Sequence, residues 1–251
     1  MDAEGRARLF PYNKELGDRE KHVVVCFHHA GGNGAAFRNW MKVHTGHPAE
    51  FVPVELAGHG YRRREPLLDR FNDVVRDLVD GVADLVKNRS YSFFGHSMGA
   101  ALAFAVEHEL EHRYHLKANK VIVAGRFAPA MEDPGHFRVS MGEEALLKEV
   151  KKLNPENSYI YENEEFVDFF LPIIRDDYAL HEDYQYTGEI IHAPIVAHSG
   201  SEDVDSRYEH MKPWEEVTNG SFKIKEFQGN HFFPHNLGER YIEEILHEVL
   251  R

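Results

Sequence analysis

The stretch Tyr91-Ser92-Phe93-Phe94-Gly95-His96-Ser97-Met98-Gly99-Ala100-Ala101-Leu102-Ala103-Phe104 runs an apolar, strand-forming segment through Gly-x-Ser-x-Gly into an alanine-rich helical segment. That is the pattern of a nucleophile elbow, a strained strand-to-helix turn that lifts a serine above the strand ends. Glycines flank the serine because side chains there would strike the neighbouring strand and helix. The pattern therefore predicts that Ser97 is exposed at the turn. The Met98 N–H, at the start of the helix, is then free to hold an oxyanion and gains from the positive end of the helix dipole. A serine that only caps a helix is the plainer alternative, and the strand before it and helix after it argue against that.

The flanking chain has the alternation such an elbow requires. Val23 to Phe27 is a continuous apolar run of the kind found in strands covered on both faces. A Gly-rich loop, His28-His29-Ala30-Gly31-Gly32-Asn33-Gly34, and a helix over about Ala35 to Val43 follow. Glu50 to Leu56 reads as a second strand, with Pro53 against it. Asp69 to Lys87 is amphipathic at helical spacing, with Phe71, Val74, Val75, Leu78, Val82, Leu85 and Val86 on its apolar side. Further strands are expected at Lys120 to Gly125, Pro194 to His198 and Phe222 to Phe227, and a closing helix from about Leu237 to Leu250. Strands alternating with helices predict an α/β fold with a mostly parallel sheet and helices on both faces.

Between about Ala130 and Glu189 the alternation stops, and two or three helical stretches are expected without a strand. This reads as a helical lid insertion at about 130–189 within a single domain spanning 1–251. Its run Phe166-Val167-Asp168-Phe169-Phe170-Leu171-Pro172-Ile173-Ile174 has more apolar surface than one helix face needs, and Pro172 should kink it. That surface either lines an acyl pocket or is the lid's own contact with the domain.

Lys and Arg number 29 against 42 Asp and Glu, a net charge of −13, so nucleic acid and anionic membrane surfaces are not expected as partners. The single cysteine, Cys26, falls in an apolar run and reads as a small buried hydrophobe. The first residues, Met1-Asp2-Ala3-Glu4-Gly5-Arg6, lack an apolar signal region, and no run approaches the ~20 apolar residues of a membrane span. A cytoplasmic protein is expected.

In the elbow architecture an acid and a histidine follow the serine, each just after a late strand. Ser199-Gly200-Ser201-Glu202-Asp203-Val204-Asp205 supplies three carboxylates; Asp203 is preferred for its place in Gly200-x-x-Asp203, with Asp205 second and Glu202 third. After the last strand, Gln228-Gly229-Asn230-His231-Phe232-Phe233-Pro234-His235 puts His231 on the turn and His235 four residues beyond it. Asp203 would fix the tautomer of His231, and His231 would take the Ser97 proton and return one to the leaving group. The second oxyanion donor is expected from the loop after the first strand, at Ala30 with Gly31 as neighbour. A rival motif, His108-Glu109-Leu110-Glu111-His112, satisfies the His-Glu-x-x-His zinc pattern. It lies about 16 Å along the elbow helix, away from the strand ends, with only His115 as a weak third ligand, so it reads as a solvated helix end.

Five segments together resemble the type II thioesterases, stand-alone α/β-hydrolases that accompany nonribosomal peptide and polyketide synthetases. They are Phe27-His28-His29-Ala30-Gly31-Gly32, Glu55-Leu56-Ala57-Gly58-His59-Gly60 with Arg62 to Pro66, Gly95-His96-Ser97-Met98-Gly99-Ala100, Leu171-Pro172-Ile173-Ile174-Arg175-Asp176-Asp177-Tyr178 and Gly229-Asn230-His231-Phe232-Phe233. The resemblance spans nearly the whole chain, in order. It implies a Ser97, Asp203, His231 triad that edits synthetases by hydrolysing acyl groups stranded on the phosphopantetheine of acyl or peptidyl carrier proteins. A monomer is expected, and the reaction requires no metal or bound cofactor. The chain departs from the family pattern at His28, where proline is usual. It departs again at Ala57-Gly58-His59, in place of Pro-Gly-Arg, and around Asn154-Pro155-Glu156, in place of Gly-Gly-Thr-Pro. Carrier domains of this type are usually acidic, so local charge must offset the net repulsion. Arg62, Arg63 and Arg64 would face the carrier, unless they are only a solvated loop. The competing functions are a general acyl-ester hydrolase or releasing thioesterase, and a hydrolase-fold protein that binds an acyl ligand or synthetase without turnover.

Overall fold

The computed structural model describes residues 3–13, 20–43 and 48–251, so Met1 and Asp2, where the expected leaderless start was read, lie outside it. Six strands form one sheet: β1 (His22–Phe27), β2 (Ala49–Pro53), β3 (Tyr91–His96), β4 (Val121–Ala124), β5 (Ile195–Gly200) and β6 (Phe222–Phe227). Their order is β2-β1-β3-β4-β5-β6, and every described pairing is parallel. The helices are α1 (Ala3–Leu9), α2 (Arg38–Val43), α3 (Phe71–Val86), α4 (Met98–Glu109), α5 (Glu143–Leu153), α6 (Glu164–Asp183), α7 (Tyr208–Met211), α8 (Phe233–Asn236) and α9 (Glu239–Val249).

The continuous apolar strands are explained by two cores, one on each face of the sheet. Val23, Val25, Phe27, Phe93, Val121 and Val123 pack with the buried faces of α3 and α4. Their alternate neighbours Val24, Cys26, Phe94 and Ile122 pack with Trp40 of α2 and with Tyr241 and Ile245 of α9. Period-two alternation sends both sets into apolar surroundings, and polar residues buried on the strands find partners, as His22 and Ser92 do with each other at 3.0 Å. Cys26 is fully buried, and burial pushes its thiol well above the ordinary range.

Small differences from expectation have local causes. Pro53 is tolerated because β2 is the edge strand and Pro53 is its last residue. The helix expected over Ala35 to Val43 begins as a tight turn, Gly34–Phe37, because the Asn33 side chain accepts the Ala35 N–H and caps it. The N-terminus of α3 is capped from outside, with Asp183 at the far end of α6 accepting the Phe71 N–H at 2.9 Å.

Among the described residues no strand lies between β4 and β5. That segment carries α5 and α6 with its own small core of Phe137, Leu146, Val150, Leu171 and Ile174. Helix α6 runs unbroken through Pro172, and within its apolar run Phe166 and Phe170 stack at 4.4 Å while Phe169 is left exposed. No described helix is long and apolar enough to cross a membrane.

Candidate active site

Ser97 stands between the last residue of β3 and the first of α4, at φ 56° and ψ −119°. It is one of two described non-glycine residues with positive φ, a conformation that costs on the order of 1–3 kcal/mol and persists only where the surroundings impose it. The imposition is visible in the flanking glycines. A Cβ at Gly95 would lie 2.2 Å from the Gly99 carbonyl oxygen, and one at Gly99 would lie 2.2 Å from that of Phe27. Both neighbours are backbone, so neither can yield. The sharp turn leaves the Met98 N–H without a partner among the described residues, and the Ala30 N–H on the loop after β1 is likewise unpaired.

His231 follows β6, and its Nδ1–H donates to Asp203 Oδ2 at 2.8 Å. The other Asp203 oxygen accepts the N–H groups of Asp205 at 3.1 Å and Ser206 at 3.2 Å. Burial alone would push the two groups toward neutrality. Their mutual attraction, with the two backbone donors on Asp203, overcomes it: the carboxyl is held below its usual range and the imidazole above it. The competing acids are occupied elsewhere. Asp205 pairs with Lys152 of α5 at 3.0 Å, and Glu202 is exposed. The backbone carbonyl of His231 accepts from His96 Nε2 at 2.8 Å, which ties its loop to the elbow.

Ser97 and His231 line the same cleft, which opens in two directions. One arm, about 610 Å³, sets the polar side chains of Arg126, Asp133 and His181 among apolar ones such as Phe127, Phe137 and Leu153. The other, about 770 Å³, is walled by Val150, Ile160, Phe166, Phe170 and Ile174 from the segment between β4 and β5. Much of the surplus apolar surface of α6 is therefore cleft wall. No hydrogen bond joins Ser97 to His231 among the described residues; in such sites that bond often tightens only with substrate present.

A second buried constellation escaped the sequence reading. Asp177 of α6 accepts the Gly31 N–H at 2.6 Å and His59 Nε2–H at 3.1 Å, while His59 Nδ1–H donates to the Ala57 carbonyl at 2.9 Å. Burial would depress the His59 imidazole, but Asp177 outweighs it and holds it above its ordinary value. The loop after β1, the loop after β2 and α6 are thereby joined beside Ala30. The departure at His59 was the only visible signal, and nothing in the spacing links residue 59 to residue 177.

Two expectations need correction or placement. Arg62 does not face outward: it is 2% exposed and donates to Asp77 at 2.6 Å, Glu65 at 2.7 Å and the Glu55 carbonyl at 3.0 Å. A buried guanidinium needs its donors met by carboxylates, and α3 supplies Asp77. Only Arg63 and Arg64 of the run are exposed. His108, near the end of α4, and His112, in the helical turn that follows, have ring centroids 4.1 Å apart at a 35° tilt, and His112 Nδ1–H donates to the His108 carbonyl. They gather no third ligand among the described residues.

Comparison with known proteins places this geometry in a family. The thioesterase domain family matches residues 22–249. The protein named linear gramicidin dehydrogenase LgrE, from Brevibacillus parabrevis, is 33% identical over 89% of this chain and 86% of its own length. Thioesterase PikA5 of Streptomyces venezuelae is 27% identical over 90% of this chain and 80% of its own. The structure of the type II thioesterase BorB from the borrelidin biosynthetic cluster superposes with a TM-score of 0.84 at 27% identity, covering 94% of this chain and 96% of that one. The chain therefore belongs to the thioesterase family and has the α/β-hydrolase fold of its type II members.

Proposed function

We propose that this thioesterase edits nonribosomal peptide or polyketide synthesis by hydrolysing aberrant or stalled acyl groups from the phosphopantetheine arm of carrier proteins. The observation that carries the reading is the strained Ser97 facing a cleft shared with His231, whose Nδ1–H is held by Asp203. His231 Nε2 accepts the Ser97 proton as Oγ attacks the thioester carbonyl. The Met98 and Ala30 N–H groups hold the oxyanion; the Gly31 N–H is already given to Asp177, which favours Ala30 as the second donor. The carbon–sulfur bond breaks and the thiol leaves with the proton from His231. Water, deprotonated by the same imidazole, then cleaves the acyl-serine and releases the acid. The segment over the cleft serves as the lid, and its apolar arm receives the acyl chain. Arg63 and Arg64 remain the exposed cations beside the loop after β2 that can meet an acidic carrier.

The name dehydrogenase attached to the LgrE relative does not suit this loop. A dinucleotide site sets a pyrophosphate on free N–H groups of the Gly-rich turn after β1. Here the Gly31 and Gly34 N–H groups donate to the Asp177 and Glu55 carboxyls at 2.6 and 3.0 Å, leaving an acidic surround for an anion.

The test is release of acetyl and longer acyl groups from a phosphopantetheinylated carrier by the parent and by Ser97→Ala, beside a simple ester of the same acid. Release that vanishes with Ser97→Ala supports the reading. Equal activity on the free ester points to a general esterase, and no activity on either points to a binding protein.

A further inference from the structure

Behind the serine, three histidines that hydrolysis leaves unused face one another. His29 precedes Ala30, His96 precedes Ser97, and His235 lies on α8, four residues past His231. Their ring centroids are 5.3 Å (His29 to His96), 5.2 Å (His29 to His235) and 5.3 Å (His96 to His235) apart, a nearly equilateral triangle. Each brings a ring nitrogen to within 4.8 Å of the other two. His29 Nδ1, His96 Nδ1 and His235 Nε2 are all buried without a hydrogen-bond partner among the described residues. Three unmet polar atoms in one small cluster are costly unless something satisfies them.

The electronic state of the rings matches a ligand set. His96 Nε2 faces the His231 carbonyl, which can only accept, so the proton is on Nε2 and Nδ1 carries the lone pair. This is the outer hydrogen bond that orients a metal-binding imidazole. Burial lowers the pKa of all three imidazoles, which favours the neutral form that ligates. The spacing fits as well. With Zn–N of about 2.0–2.1 Å and a ring centroid roughly 1.1 Å further out, three imidazoles placed tetrahedrally have centroids about 5.2 Å apart. Phe232 packs edge-on against His29 at 4.9 Å and His96 at 5.6 Å, and His29 with Phe232 also borders the cleft.

We propose that His29, His96 and His235 form a three-imidazole site for a transition-metal dication of the zinc class, with solvent in the fourth position. Neutral nitrogen donors without a carboxylate select such an ion over magnesium or calcium. The ion ties together the loop bearing Ala30, the turn bearing Ser97 and the loop bearing His231, and is a structural fastener rather than a participant in acyl transfer. The site stands whether or not the chain edits synthetases.

The experiment is titration of the untagged, chelator-stripped full chain with Co²⁺, followed by displacement with Zn²⁺, and X-ray absorption of the Zn²⁺-loaded parent. One Co²⁺ per chain with the visible bands of four-coordinate cobalt is expected. It should be unchanged in the His108→Ala/His112→Ala double variant and weakened by roughly a hundredfold or more in His235→Gln. The zinc edge of the parent, which needs no variant to fold, should count three imidazoles. The proposal is overturned if the parent binds no metal at millimolar concentration, leaving the triangle to ordered water. Binding that disappears in the His108/His112 double variant, or fewer than three imidazoles at the zinc edge, overturns it equally.

Discussion

His59 and Asp177, far apart in sequence, form a buried pair with Nε2 and Oδ2 at 3.1 Å and each side chain 3% exposed. The same Asp177 oxygen holds the Gly31 N–H, so the pair positions the loop that carries Ala30. Because the folded-state pKa of His59 is raised above its ordinary 6.5, its contribution to stability is fully present below about that pH. The contribution is lost as pH rises through the folded value. Denaturant titrations should therefore show the stability gap between parent and His59→Gln shrinking as pH is raised from 6 to 9. A constant gap would mean that the pair is not charged.

Asp177→Asn leaves His59 buried without its counter-charge, a change that costs on the order of 3–5 kcal/mol when a buried pair is broken. It should also lower kcat more than it raises KM, since the oxyanion loop loses its anchor. Unfolding in urea reads the first effect and steady-state kinetics the second.

The neighbouring acids Asp203 and Asp205 should separate cleanly. Asp203→Asn keeps a hydrogen-bonding side chain but no longer fixes the imidazole tautomer, and should lower kcat by about 10⁴. Asp205→Asn weakens a partly exposed tie to Lys152 at the cleft wall but leaves the Asp203–His231 hydrogen bond in place, and its rate should fall far less, by no more than about tenfold. A comparable loss in both would show that the histidine can exchange partners.

Phe170 lines the apolar arm of the cleft. Burial of each acyl methylene is worth ~0.8 kcal/mol, so kcat/KM should rise by about fourfold per carbon until the arm is full. Phe170→Ala should flatten that dependence and leave the acetyl substrate nearly unaffected. A profile across acyl chain lengths on one carrier measures it.

Within the arginine run, Arg62→Ala should destabilise the fold by about 3–5 kcal/mol, because Asp77 and Glu65 lose a buried cation. Arg63→Ala should fall within about 0.5 kcal/mol of the parent, as exposed substitutions do. Thermal or urea unfolding of the two variants decides it.

The difference between these arginines shows where reading in one dimension stops. The elbow was legible because Gly95, Ser97 and Gly99 interact through their own turn, and the strands were legible because period-two burial on both faces leaves an unbroken apolar run. Chain order alone pointed to the Asp203 and His231 loops. Arg62, by contrast, has the same charge and loop setting as Arg63, and what separates them is Asp77, supplied by a helix fifteen residues on. Helix α6 likewise continues through Pro172, where propensity alone predicts a kink.

Local backbone sterics and hydrophobic periodicity, both carried by neighbours in the chain, determined the sheet, the elbow and the identities of Ser97 and its two following loops. The tertiary structure alone decided which carboxylate meets His231, that His59 meets Asp177, and that His29, His96 and His235 converge. Those contacts join residues from separate crossovers of a parallel sheet, and no spacing along the chain encodes distances of a few ångströms between the ends of different strands.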